Sequence, residues 1–131
     1  MQTRRLSNDD YNELCQWWAA WGWEAPVPED FLSDTGVMVS EENVNICAGF
    51  LYTISNAPVG WFTFPVSNPA IRGVARKKAI QIMISEIEKI AKDNGIKYLY
   101  SSLRIQSMID AQKSAGFIEA DKNHTELLKI I

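Results

Sequence analysis

The clearest periodicity in the chain lies in residues 78–92. Ile80, Met83, Ile84, Ile87, Ile90 and Ala91 follow the i, i+3, i+4, i+7 spacing of one helix face. Lys78, Gln81, Glu86, Lys89 and Lys92 take the opposite face, and Gly95 is a stop signal. Tyr11, Leu14, Cys15, Trp18 and Trp21 repeat at similar spacing behind the N-cap candidates Ser7-Asn8-Asp9-Asp10. They predict a helix from about Asp9 to Ala20, closed by Gly22. A third helix is expected over 106–115, ending at Gly116, and a short helical turn over Glu29 to Leu32.

Between the helices the pattern changes to alternation and short apolar runs bounded by turn residues. Strands are predicted over 2–6, 36–41, 44–54, 59–66 and 97–103, with turns at Glu42-Asn43 and at Ser55-Asn56-Ala57-Pro58. The three middle strands read as an antiparallel meander. Residues 117–120 and 125–130, around Asp121-Lys122-Asn123, read as a closing hairpin. Pro65 cannot donate to a ladder, so strand 59–66 is expected to be an edge, bulged or splayed there. A strand, a long helix and a strand over 59–103 make a right-handed βαβ unit, which puts strands 59–66 and 97–103 parallel. The predicted fold is therefore α+β: a mostly antiparallel mixed sheet of six or seven strands, splayed between 59–66 and 97–103, with helices on both faces.

At 131 residues the chain is read as one domain over 1–131. Chains near that size bury roughly 68–70% of their unfolded surface, so no covalent staple is needed. The net charge of −3 excludes a general nucleic-acid binder, which needs a basic face. Cys15 and Cys47 fit no metal spacing and suit a reducing cytoplasm. No signal peptide and no membrane-length apolar run is visible. One histidine, His124, gives histidine catalysis or zinc almost nothing to work with and reads as a turn residue, and Ser101-Ser102 has no partner arranged by sequence. Trp17, Trp18, Trp21 and Trp23 crowd one short run and cannot all face one core. They either pack a small core or line a substrate cleft.

Four of the 13 basic residues, Arg72, Arg76, Lys77 and Lys78, fall where the long helix begins. A helix N-terminus is a partial positive charge, and a cation there costs roughly 0.3–1 kcal/mol. Gathering four makes sense if a phosphate or a similar anion binds. In a sheet of this order, ligands bind at the carboxyl ends of diverging parallel strands.

The run Arg72-Gly73-Val74-Ala75-Arg76-Lys77, the element order, Asn94-Gly95-Ile96-Lys97-Tyr98-Leu99-Tyr100 and the Ala115-Gly116-Phe117 ending resemble the GNAT superfamily of acetyl-CoA-dependent N-acetyltransferases. The short, Trp-rich pattern is similar to small members encoded by bacteriophages. The resemblance covers nearly the whole chain. Its motif is Arg/Gln-x-x-Gly-x-Gly/Ala; Arg72 matches the first position, while Ala75 and Lys77 replace the two later glycine positions. The resemblance implies that Arg72, Gly73, Val74, Ala75, Arg76 and Lys77 bind the pyrophosphate of coenzyme A. It also implies that Phe64, Pro65 and Val66 hold the pantetheine arm. It implies acetyl transfer to a small-molecule or peptide amine, with no metal, in a monomer or homodimer. The tyrosine acid of many members is matched by Gln112 and their asparagine by Ile105. No catalytic residue is assigned; Tyr98 and Tyr100 are nearby in sequence, with Tyr100 a possible substitute acid, and Glu24, Glu29, Asp30 and Glu41 are candidate bases. A coenzyme A or host-protein binder without efficient catalysis is the alternative.

Overall fold

The computed structural model describes residues 1–131. Five strands form one sheet in chain order: β1 (Gln2–Arg5), β2 (Gly36–Glu41), β3 (Val44–Thr53), β4 (Val59–Ser67) and β5 (Tyr98–Ser101). Three helices accompany them, α1 (Tyr11–Ala20), α2 (Gly73–Asp93) and α3 (Gln106–Ser114). Short 3-10 turns cover Asn8–Asp10 and Glu29–Phe31. Every strand pairing is antiparallel except β4 with β5, which is parallel as the βαβ reading requires.

Alternation along the strands builds two cores. Val37 and Val39 of β2 and Cys47 and Leu51 of β3 face α2, where Met83, Ile84 and Ile87 are buried. Met38, Ala48 and Phe50 face the other way, onto Leu14, Trp17 and Trp18 of α1. Burying such a side chain contributes about 1.5–3 kcal/mol. The helices thus lie on both faces. The β2–β3 hairpin turns through Glu42 and Asn43, with φ of 51° and 64°, the left-handed pair that a two-residue turn matched to strand twist demands.

Two sequence expectations are corrected. The sheet has five strands and not six or seven, because residues 117–120 and 125–130 form no hairpin. Phe117 packs against the α2 core, but Ile118, Leu127, Leu128 and Ile130 are exposed. Glu119 is paired locally with Lys113 and Lys122, and Ser102 Oγ, just after β5, donates to Glu126 Oε1 at 2.8 Å. A two-stranded hairpin is marginal in water unless it joins a larger sheet, and this segment makes no backbone pairing with β5. The strand expected over 97–103 is also shorter, because β5 stops at Ser101, where β4 turns away from it.

Candidate functional site

The site begins with a defect in β4. Ala48 pairs with Val66 and Phe50 with Thr63, so Phe64 and Pro65 together stand opposite Gly49. That is a β-bulge, one of the outcomes Pro65 predicts. Phe64 takes φ of 52°, a costly left-handed conformation for a bulky residue, which the surrounding packing must enforce. Gly49 is needed opposite it: a Cβ there would lie 2.7 Å from Phe62 Cε2 and 3.0 Å from Met83 Sδ.

The bulge separates the parallel pair. β4 and β5 pair only from Val59 to Phe62 and from Tyr98 to Ser101, while β4 runs on to Ser67 paired with β3 alone. The wedge beyond encloses about 40 Å³ among Trp21, Trp23, Pro65, Val66, Ile105 and Met108. A larger hollow of about 200 Å³ lies elsewhere, among Thr3, Arg5, Glu86 and Ile90 at the β1 edge, and no chemistry converges on it.

The crowded tryptophans divide. Trp17 and Trp18 belong to the α1 core, whereas Trp21 and Trp23 line the wedge. Gly22, at φ of 86°, ends α1 between the second pair and frees them from the helix phase. Trp21 Nε1 donates to the Ser67 carbonyl at 2.7 Å, and the Arg76 guanidinium lies over its ring, 5.4 Å from the centroid. Trp21 therefore ties the end of α1 to the end of β4 and to the start of α2.

Arg72 is the N-cap of α2 and supplies no side-chain cap, and the first turn carries no acidic residue. The first-turn amides of a helix have no intrahelical acceptor. Gly73, at φ of 66°, makes the turn into the helix. Arg72, Gly73, Val74, Lys77 and Lys78 are exposed; Ala75 and Arg76 are half-buried. None of the four cations takes part in an ion pair. Open amides, unpaired cations and a helix dipole all favour an anion. The structure thus puts Pro65, Val66 and Arg76 in the lining of the wedge, with Phe64 in the bulge beside Pro65 and Arg72 to Lys77 on the segment that opens α2.

The other candidates separate. Gln112 is 2% exposed, and its Nε2 has no hydrogen-bond partner. Ser101 Oγ is buried and equally unpartnered. Ile105 lines the wedge as the N-cap of α3. Tyr98 and Tyr100 are exposed and alternate with Leu99, which packs toward α2, so they face away from that core. Glu41 closes β2, 3.8 Å from the Met1 amino group, with β3 between it and β4. Glu24, Glu29 and Asp30 are exposed on the loop that follows Trp23. His124 sits on the last segment, 3.6 Å from Asp121. No helix is long and apolar enough to cross a membrane.

No protein-family profile and no curated protein sequence matches this chain. Solved structures do match its fold. The ribosomal-protein-S18-alanine N-acetyltransferase of Escherichia coli has a TM-score of 0.74 at 12% identity, over 92% of this chain and 79% of that one. TTHA1254 of Thermus thermophilus has a TM-score of 0.71 at 14% identity, over 98% and 97%. A predicted acetyltransferase of Clostridium acetobutylicum, solved with acetyl-CoA, has a TM-score of 0.65 at 16% identity, over 97% and 95%. At these identities the likeness is one of fold: a GNAT-like α+β architecture around a mixed sheet.

Proposed function

We propose that this protein binds acetyl-CoA and transfers its acetyl group to a primary amine by direct attack in a ternary complex. The observation that carries the reading is the unpaired basic start of α2, placed directly beyond the wedge between β4 and β5. The pyrophosphate lies over Arg72, Gly73, Val74, Ala75, Arg76 and Lys77, held by amides and side-chain charge. The pantetheine arm runs along Phe64, Pro65 and Val66, whose backbone lacks a β5 partner. The wedge is too narrow for the arm as it stands, so the side chains that line it must part to seat it. A fold relative solved with acetyl-CoA supports this choice of cofactor.

The amine nitrogen, after losing a proton, attacks the thioester carbonyl carbon. The C–N bond forms, the C–S bond breaks, and the thiolate takes up a proton to leave as free coenzyme A. Orientation of the two reactants and polarisation of the carbonyl by strand amides drive this step. A second reading, coenzyme A binding without efficient transfer, is favoured by Gln112, a residue that carries no acidic proton where many members of the resembled family have a tyrosine. Calorimetric titration with acetyl-CoA and a free-thiol assay across amines and peptides separate the two. Binding with thiol release supports transfer; binding with release at the uncatalysed rate supports the second reading; absence of binding removes both. Arg72→Ala with Lys77→Ala is expected to weaken binding by more than about tenfold, the loss of two charge-assisted phosphate contacts, with the circular dichroism unchanged. Unchanged affinity removes the phosphate site.

A further inference from the structure

A second surface borders the bulge on the α1 side of the sheet. Phe64 is in contact with four other rings, with centroids 6.4 Å away for Trp23, 5.8 Å for Phe31, 6.3 Å for Tyr52 and 6.2 Å for Trp61. Tyr52 and Trp61 are direct cross-strand partners, their rings 5.6 Å apart, and Trp61 is in turn beside Tyr100. Tyr52 OH donates to the Phe31 carbonyl at 2.6 Å, which fastens the 3-10 turn over this patch.

These rings do not pack as a core does. The core aromatics Trp18, Phe50 and Phe62 are 0–3% exposed, whereas neither Phe64 nor any of the four rings around it is buried, and Phe31 is 39% exposed. Beneath them the Trp61 Nε1 donor is shielded from solvent and has no partner. Charge supplies a separate indication. Glu29 and Asp30 share the turn with Phe31, Glu24 follows Trp23, and none of the three is in an ion pair. On the same face Lys97 Nζ already lies over the Tyr98 ring, 5.3 Å from its centroid. Half-exposed aromatic rings, with unpaired carboxylates on the same loop, suit an organic cation with a flat apolar body.

We propose that this face binds the amine acceptor and that the acceptor is an arylalkylamine, its ring laid against Phe31, Tyr52, Trp61 and Phe64, its ammonium attracted by Glu29 and Asp30 on the way in and its amine turned toward the wedge. The assignment rests on the acetyl-transfer reading, since it takes the bulge at Phe64 and Pro65 as the place where acceptor and thioester meet. Binding energy from the ring then orients the amine toward the wedge.

The test is calorimetric titration of 2-phenylethylamine and of n-butylamine, which has the same ammonium without the ring, into protein saturated with coenzyme A. The aromatic amine is expected to bind at least about tenfold more tightly, and Phe31→Ala to remove most of that advantage while coenzyme A affinity changes less than about twofold. Glu29→Gln with Asp30→Asn is expected to weaken 2-phenylethylamine but not the neutral 2-phenylethanol. Equal affinity for the two amines, or a Phe31→Ala protein that keeps the preference, overturns the proposal. If coenzyme A fails to bind while free protein still prefers the aromatic amine through Phe31, the aromatic site stands and the cofactor reading falls.

Discussion

Gly73 sets where α2 begins. Its φ of 66° is open to glycine and costly to residues with a Cβ, yet nothing lies within 4 Å of where that Cβ would stand. The cost of Gly73→Ala is therefore backbone strain alone, about 1–2 kcal/mol. Urea unfolding checks it, with Val74→Ala at the exposed neighbouring position expected within about 0.5 kcal/mol of wild type. At this scale the sequence was readable where chemistry is local. Pro65 announces a disturbed strand, and Arg72 keeps its place in the basic run while Ala75 and Lys77 depart from the pattern it resembles. The division of the tryptophans was only half readable. Crowding shows that Trp17, Trp18, Trp21 and Trp23 must part company, but Gly22 cancels the helical phase that would say which pair goes where. The ring assembly around Phe64 was missed, because Trp23, Phe31, Tyr52 and Trp61 come from separate segments. The available signal was the strand alternation that puts Tyr52 and Phe50 on one face.

At the scale of elements, β1 and the start of α1 are joined by one carboxylate. Arg4 Nη1 and Nη2 each donate to Asp10 at 2.8 Å, and the Ser7 amide donates to Asp10 Oδ2 at 2.9 Å. The Arg4 hydrogen bonds, and after them the Ser7 amide, hold the Asp10 carboxyl below its usual value against the opposing effect of burial. A carboxyl lowered on folding contributes stability that is present above its unfolded pKa of about 3.9 and lost as pH falls through the lower folded value. Asp10→Asn is accordingly expected to cost about 1–2 kcal/mol at pH 7, since Arg4 is 43% exposed and its Coulomb part is screened. The gap from wild type in urea unfolding should narrow below about pH 4; a gap that stays constant would show that charge plays no part. Elements whose signals are local came out near their expected bounds: the long α2, the meander of β2, β3 and β4, and α3. The hairpin over 117–130 did not form. Its alternation shows only what the segment could do, while strand formation needs a partner edge, and pairing is not written in the segment itself.

For the whole molecule, the parallel crossover and the two-faced sheet were legible because connection rules leave few arrangements for this element order. The strand order of the sheet repeats the order of the chain, β1 through β5. That has a kinetic consequence. The β2–β3 and β3–β4 pairs close through tight turns, whereas β1–β2 must first enclose α1 and β4–β5 must enclose α2. Loop-closure entropy rises with the length enclosed, so the meander is the cheapest part of the sheet to assemble. Folding is expected to start there, with the wedge between β4 and β5 the last region to take shape. In chevron measurements Leu51→Ala on β3 should chiefly slow folding and Leu99→Ala on β5 chiefly speed unfolding; equal partition at both positions would refute that order. The wedge end of the protein would then be its latest-formed and most readily opened part, able to breathe around a long ligand while the meander stays intact.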